Sequence, residues 1–262
     1  MRTLLKSVLL KTPLYPAAKE VYRHTLNREF LRSRKRLMDF YRGFAGPGQV
    51  VFDVGANRGD FSDAFLNLGA TVYAIEPHPV CTAELTALYR SRPRFKLVDC
   101  ALGAAPGEAP LYLGENGMDN VSTLSDDYRR EAMKLPGLAV AGWNRSVMVR
   151  IETLDRLIDA YGVPDFCKID VEGYEMEVLR GLHRPLPLLQ FEYQPWSVDK
   201  AVECVAYLTT LGGYRFNITM SADRDDDVAL QPAWVSPEEV TSILRGRVSE
   251  SQSVGDVFAR SY

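Results

Sequence analysis

Two glycines and an acid share a short stretch in which their spacing could create a ligand-binding turn. In VVFDVGANRGDFSDAF an apolar run leads to Asp53, Gly55 and Gly59 follow, and a helical pattern begins after them. Glycine lets a backbone turn sharply and approach a ligand closely, and the first N–H groups of a helix can bind polar ligand atoms. The stretch therefore predicts a nucleotide cradle, with Ala56 and Asn57 inside it.

A second acid follows at the spacing that a nucleoside-binding fold requires. The next apolar run, TVYAIE, ends at Glu76, which lies 23 residues after Asp53. An acid at this position in Rossmann-like domains accepts hydrogen bonds from the ribose hydroxyls. The alternative is an acid on a surface loop, which suits a position at the end of an apolar strand less well. Together the two features predict a ligand that contains adenosine.

The chemistry of the cradle separates two such ligands. A dinucleotide fingerprint reads G-x-G-x-x-G, whereas this stretch reads G-A-N-R-G and has Asn57 in place of the middle glycine. Asp53 beside the loop would repel a pyrophosphate but would attract an ammonium and a sulfonium group. The charges therefore favour S-adenosylmethionine over NAD. An NAD-dependent oxidoreductase and a non-catalytic S-adenosylmethionine-binding domain remain the alternatives.

The elements that must position these residues alternate in type along the chain. Short apolar runs predict strands, FKLVDCAL at 95–102 among them, and the segments between them predict helices. The alternation predicts an α/β fold with a doubly wound, mostly parallel, Rossmann-like sheet. We expect this domain to span residues 46–262, after a basic helical N-terminal extension over residues 1–45 that includes a helix at 17–42.

Four stretches, taken in order, resemble the FkbM family of S-adenosylmethionine-dependent methyltransferases. They are VFDVGANRGDFS, YAIEPHP, VRIETLDRLI and FCKIDVEGYEMEVLRGL, and FEYQP is similar to the strand that follows in the family. The resemblance covers residues 50–195, and KIDVEGYE is its most distinctive part. It implies a class I methyltransferase fold, S-adenosylmethionine as the methyl donor, and O-methylation of a sugar, glycolipid, polysaccharide or natural-product hydroxyl.

The resemblance also implies roles for individual residues in binding the methyl donor. Gly55–Gly59 would hold the methionine part, with Asp53 near its amino group. Glu76 would hold the ribose. The adenine would be flanked by Asp99, Cys100 and Ala101.

Acids at the ends of later strands are candidates for the chemical step. Asp170 and Glu172 follow the run FCKI, and Glu192 lies near the end of LLQFEY. Ligands bind at this edge of open α/β sheets, so the three side chains should lie close together. Asp170 or Glu172 could remove the proton of a hydroxyl acceptor, with Glu192 as a second candidate, or the three could hold a divalent metal. Alternatively, Asp170 hydrogen-bonds the cofactor only, and Glu172 caps the following helix.

Composition and charge limit the cellular compartment and the binding partners that we expect for the protein. The chain has 262 residues, and its four cysteines are scattered without a C-x-x-C pair, which fits the reducing cytoplasm. Residues 1–49 hold eleven Lys/Arg and three Asp/Glu, a net charge of +8. The whole chain has a net charge of -3, so residues 50–262 carry -11. An acidic body argues against nucleic acid as a partner. We expect a small-molecule, glycan or glycolipid acceptor.

The basic N-terminal arm suggests contact with an anionic surface. Apolar residues recur on one helical face near the N-terminus, between basic residues, which predicts peripheral contact of residues 1–42 with the inner face of a membrane. The alternative is a solvated helix. No stretch approaches the ~20 apolar residues that a membrane span needs.

Overall fold

The computed structural model describes residues 27–219, 229–247 and 254–262. Seven strands form a main sheet in the order β3-β2-β1-β7-β8-β10-β9, and three form a small sheet in the order β4-β6-β5. In chain order the strands are β1 (Val50–Val54), β2 (Thr71–Ile75), β3 (Phe95–Val98), β4 (Ala101–Leu102), β5 (Gly107–Leu113), β6 (Arg145–Glu152), β7 (Phe166–Ile169), β8 (Leu188–Tyr193), β9 (Tyr214–Ile218) and β10 (Gly255–Ser261).

The described residues also form nine α-helices, several of which begin at a side-chain cap. Asn27, Ser125 and Thr153 each accept a hydrogen bond from a backbone N–H three residues on. The helices are α1 (Arg28–Tyr41), α2 (Asp60–Leu68), α3 (Pro79–Tyr89), α4 (Asp126–Ala132), α5 (Pro136–Ala139), α6 (Leu154–Tyr161), α7 (Glu175–Arg180), α8 (Val198–Leu211) and α9 (Pro237–Arg247).

Helices cover both faces of the main sheet. On one face α1, α2 and α3 pack around buried side chains that include Phe65 and Phe166. On the other face α6, α7, α8 and α9 pack around Leu157, Leu208 and Leu244. Strands that are buried on both faces are apolar throughout, which is why β1 could be predicted from VVFDV. The predicted doubly wound, mostly parallel sheet is confirmed.

The last strand is the exception to the parallel order. β10 lies between β8 and β9 and pairs antiparallel with both. Its first residues therefore lie at the edge where the parallel strands end. There Asp256 is paired in register with Glu192.

The segment FKLVDCAL, predicted as one strand, is divided between the two sheets. β3 ends at Val98 and β4 begins at Ala101, so the chain turns at Asp99 and Cys100. β4 then pairs with β6, which pairs antiparallel with β5. The turn transfers the chain from the main sheet to a small sheet whose buried face packs around Leu111.

Helix α1 belongs to the predicted extension and packs on the main sheet. Tyr41 is buried, and its hydroxyl donates a hydrogen bond to Gln190 Oε1 on β8 at 2.8 Å. The predicted helix over 17–42 is thus present in its described part. Residues 1–26, on which most of the membrane-contact prediction depends, lie outside the described residues. Within the described part of the chain, every helix is too short or too polar to span a bilayer.

Candidate active site

A cavity of about 860 Å³ lies at the edge of the main sheet where the parallel strands end. The loops after β1, β2 and β7, the end of β8 and the start of β10 contribute to its wall. Three predicted site residues, Asp53, Gly59 and Asp99, do not line it. The other nine do: Gly55, Ala56, Asn57, Glu76, Cys100, Ala101, Asp170, Glu172 and Glu192.

The turn after β1 is shaped by left-handed residues and a close chain crossing. Gly55 has φ +81° and Asn57 has φ +49°. A Cβ at Gly55 would lie 1.8 Å from the backbone oxygen of Asp170, so only glycine allows the loops after β1 and β7 to touch. The Gly55 N–H donates to the Ile75 carbonyl at 2.9 Å. These contacts fix the cradle between its two neighbouring strands.

Gly59 serves packing and does not face the cavity. It precedes α2 with φ +81°, and a Cβ there would lie 2.6 Å from Leu85 and 3.0 Å from Tyr89 on α3. The sequence pattern attributes this glycine to ligand approach. The structure attributes it to the close approach of α2 and α3.

Glu76 is held at the end of β2 with its carboxylate on the cavity wall. The backbone N–H of Asn57 donates to Oε2 and that of His78 donates to Oε1, each at 2.7 Å. The side chain is 5% exposed. Burial raises the pKa of Glu76 to about 7, although the two N–H bonds act in the opposite direction. Glu76 therefore links the cradle to the β2 end through one carboxylate.

Asp53 lies beneath the cradle rather than on the cavity wall. It is fully buried, and Ser62 Oγ donates to its Oδ2 at 2.5 Å. Its Oδ1 has no hydrogen-bond partner among the described residues. Burial raises the pKa of Asp53, and the nearby Lys168 acts against that rise. Asp53 therefore lies behind the loop, and its role near a ligand amino group stays a prediction.

The two sides of the turn after β3 differ in their relation to the cavity. Asp99 is exposed and outside the cavity, and its carbonyl accepts a hydrogen bond from Arg150 Nη2 at 3.3 Å. Cys100 and Ala101 are buried and line the cavity. Burial raises the pKa of the Cys100 thiol to about 11, so the thiol stays protonated at neutral pH. The structure thus keeps two of the three predicted adenine neighbours at the cavity.

Asp170, Glu172 and Glu192 converge as predicted. Each offers one carboxylate oxygen, and the three oxygens lie within 4.8 Å of one another. Burial raises the pKa of Glu192 well above its usual range, and the negative charges of Asp170 and Glu172 add to that rise. Gln194 Nε2 donates to Glu192 Oε2 at 2.7 Å. Such a cluster can share protons, and its spacing would also suit a divalent cation.

A buried lysine underlies this cluster. Lys168 is 1% exposed, and its Nζ donates to Asp170 Oδ2 at 2.8 Å while lying 4.0 Å from the ring centroid of Phe61. Asp170 and Asp53 raise the pKa of Lys168 and together outweigh the opposing effect of burial. The ammonium of Lys168 thus offsets the negative charges of Asp170 and Asp53.

The loop between β7 and α7 presents Glu172 through two left-handed residues. Glu172 has φ +55° and Gly173 has φ +86°. Glu175 accepts hydrogen bonds from the N–H groups of Gly173 and Val171, at 3.1 and 3.2 Å. Glu175 therefore holds the loop in place. The helix-capping role considered for Glu172 is not seen, since Tyr174 is the N-cap residue of α7 and no side chain caps that helix. The Tyr128 hydroxyl hydrogen-bonds the Glu172 side chain, which also lines the cavity.

Comparison with known proteins identifies the family. The sequence pattern described as the methyltransferase FkbM domain matches residues 53–216, which include every predicted site residue. The chain belongs to the FkbM methyltransferase family. The predicted resemblance is thereby confirmed over more than half of the chain.

Individual relatives of this FkbM-family chain have modest identity. Methyltransferase sdnD of Sordaria araneosa is 30% identical over 154 residues, which are 50% of this chain and 60% of sdnD. Hexuronic acid methyltransferase AglP of Haloferax volcanii is 27% identical over 148 residues, which are 54% of this chain and 53% of AglP. This chain thus spans less than two thirds of either relative. A precorrin-6y C5,15-methyltransferase structure from Geobacter metallireducens has 12% identity and a TM-score of 0.45, covering 87% of this chain and 86% of that one.

Two residues at the site were not singled out from the sequence. Asp256 lines the cavity from β10, and Gln190 Nε2 donates to its Oδ1 at 2.7 Å. Burial raises the pKa of Asp256 to about 6. Arg58, inside the cradle sequence, forms ion pairs with Glu84 and with Asp119 of the wall opposite. Asp256 lies outside the residues that match the family, so the resemblance could not indicate it. Arg58 lies between Asn57 and Gly59, and this position in the cradle could have indicated it.

Proposed function

We propose that this FkbM-family chain transfers a methyl group from S-adenosylmethionine to a hydroxyl oxygen of a sugar, glycolipid, polysaccharide or natural product. The position of Glu76 carries the proposal. Its carboxylate stands at the end of the second strand of a βαβ unit, on the cavity wall. Each oxygen accepts one backbone N–H, which leaves lone pairs for two ribose hydroxyls.

The rest of the cavity supports a cationic adenosine ligand. Its volume of about 860 Å³ lies within the range of small-molecule sites. Cys100, Ala101 and Leu102 supply an apolar wall beyond Glu76, where a purine would lie. Acids line the opposite end, which suits an ammonium and a sulfonium group better than a pyrophosphate.

The residues of the chain supply alignment and a proton acceptor. S-adenosylmethionine supplies an electrophilic methyl group: the acceptor oxygen forms the new C–O bond while the C–S bond breaks, leaving its electrons on sulfur. We assign Glu192 as the base that takes the proton of the acceptor hydroxyl, because a raised pKa makes its carboxylate a stronger base once it is ionised. Asp170 and Glu172 then orient the acceptor.

Calorimetry tests the ligand assignment. We expect wild-type protein to bind S-adenosylmethionine and not NAD. Glu76→Gln should weaken binding by roughly tenfold to a hundredfold, because a charge-assisted acceptor is lost. Glu108→Gln, at an exposed position on β5, is the control and should bind as wild type. Binding of NAD alone would contradict the proposal.

Turnover measurements test the catalytic assignment. We expect Glu192→Gln to lower kcat by roughly a hundredfold or more with little change in S-adenosylmethionine affinity. Asp170→Asn and Glu172→Gln should act mainly on the KM of the acceptor. If Glu172→Gln or Asp170→Asn has the large kcat loss instead, the base is that residue. Absence of turnover in wild-type protein that binds S-adenosylmethionine would favour the binding-only alternative.

A divalent cation on the three carboxylates is the competing arrangement. Deprotonation by Glu192 requires no metal, so turnover should survive dialysis against EDTA. A loss of turnover that Mg²⁺ or Mn²⁺ restores would assign Asp170, Glu172 and Glu192 to cation binding.

A further inference from the structure

The strand order divides the cavity into two chemically different halves. The order β3-β2-β1-β7-β8-β10 places Ala101, Glu76 and Gly55 on one side, and Asp170, Glu192 and Asp256 on the other. The first half carries the residues proposed for the methyl donor. The second half therefore remains for the acceptor.

The acceptor half is rich in acidic side chains. Asp170, Glu172, Glu192 and Asp256 all line it. Among the described residues that line the cavity, Arg58 is the sole Lys, Arg or His, and it belongs to the cradle.

Two cations at or beneath the described part of the cavity wall are already paired. Arg58 forms ion pairs with Glu84 and Asp119, away from the acid cluster. Lys168 lies buried below the cavity wall and donates to Asp170. Among the residues that the structure describes, an anionic group brought into the acceptor half would thus meet several acidic side chains and no unpaired cation of the wall. Like charges at such separations weaken binding by roughly tenfold to a hundredfold.

Hydroxyl and ammonium groups suit this surface, because both donate hydrogen bonds to carboxylate oxygens. We propose that the acceptor is a sugar unit without an anionic group, either a neutral sugar or an amino sugar, bound by Glu172, Glu192 and Asp256. The inference rests on the proposed methyl transfer. It also separates this chain from a relative named for hexuronic acid, whose substrate carries a carboxylate.

Labelled methyl transfer tests the charge of the acceptor. Wild-type protein is incubated with methyl-labelled S-adenosylmethionine and an extract of the source organism, without added metal. The labelled product is hydrolysed to its methylated unit under conditions that cleave glycosidic bonds, and the unit is separated by electrophoresis at pH 7. Neutral or cathodic migration of the label supports the proposal, and anodic migration overturns it. If wild-type protein binds S-adenosylmethionine but labels nothing, the proposed methyl transfer fails, and this inference with it.

A charge-neutral variant provides the second measurement. Asp256→Asn keeps the shape of the side chain and a partner for Gln190. With extract titrated as acceptor, we expect this variant to raise the apparent KM of the acceptor several-fold, while calorimetry with S-adenosylmethionine reports an intact fold and donor site. A lower acceptor KM in Asp256→Asn would mean that removing negative charge helps the acceptor to bind, and would overturn the proposal. Glu108→Gln, outside the cavity, is the matched control for the loss of one carboxylate.

Discussion

Glu76 joins two functions in one carboxylate, because it fixes the Asn57 and His78 backbone and faces the cavity. Its pKa of about 7 means that it exchanges its proton near neutral pH in the unliganded protein. The ionised form accepts hydroxyl donors, so ligand binding must remove that proton below pH 7. We expect the Kd of S-adenosylmethionine to rise by about tenfold per pH unit below 7 and to be constant above it.

Calorimetry between pH 5.5 and 8.5 measures this dependence. Glu76→Gln cannot titrate, so its weaker binding should lack the slope below pH 7. A wild-type Kd that stays constant over the whole range would show that Glu76 is not the group coupled to the ligand.

Lys168 is the buried cation that stabilises the charges of Asp53 and Asp170. Replacement by methionine would leave Asp53 buried and Asp170 without its 2.8 Å donor. Removing one member of a buried ion pair costs about 3–5 kcal/mol in the free energy of unfolding, and we expect a loss of that order for Lys168→Met. Urea unfolding followed by circular dichroism measures it.

An exposed ion pair provides the comparison for Lys168. Lys35 pairs with Asp39 on the surface of α1, and both side chains are solvent-exposed. Lys35→Met should leave the unfolding midpoint unchanged, because water replaces the lost partner. Equal stability of Lys168→Met and Lys35→Met would refute the central role of the buried ammonium. Adding Asp170→Asn to Lys168→Met should recover part of the lost stability.

At the scale of elements, the loop from β7 to α7 depends on Gly173. A Cβ there would lie 2.8 Å from Cβ of Tyr128, and φ is +86°. We expect Gly173→Ala to destabilise the fold by about 1–3 kcal/mol and to lower turnover, since the loop presents Glu172. Gly48 has φ +80°, and a Cβ added to it would meet nothing within 4 Å, so Gly48→Ala reports backbone strain alone. If Gly173→Ala and Gly48→Ala lost equal stability and equal turnover, the contact with Tyr128 would not explain the effect of Gly173→Ala.

The elements also show which parts of the fold were predictable. β1 and β2 are local apolar runs with motif residues at their ends, so Glu76 and the cradle could be placed without knowledge of any distant contact. β10 could not be placed in this way, because its position between β8 and β9 depends on pairing with distant strands. Asp256 was missed for the same reason. The burial of the Asp53 side chain beneath the cradle could not be predicted either, because a sequence position at a strand end does not say which way its side chain points.

For the whole molecule, the buried acids of the site oppose the usual effect of pH on stability. The pKa is raised to about 7 for Glu76 and Glu175 and to about 6 for Asp256, and it is also raised for Glu192. Between pH 5 and 7 the folded protein therefore holds protons that the unfolded chain has released. The free energy of unfolding must fall as pH rises through this window. His78 acts in the opposite direction, because burial lowers its pKa below 6.5, but within the described residues it is one group against these four carboxyls.

We accordingly expect the Tm of the unliganded protein to fall by several degrees between pH 5 and 7.5, as scanning calorimetry would measure. Glu175→Gln should flatten part of this slope because one raised carboxyl is removed, whereas Glu131→Gln at the surface should retain it. A cationic ligand that favours the ionised acids should raise Tm more at pH 7.5 than at pH 5. A Tm that rises steadily from pH 5 to 7.5 would mean that Glu76, Glu175, Glu192 and Asp256 are ionised in the folded protein. Their negative charges would then need a bound cation to compensate them.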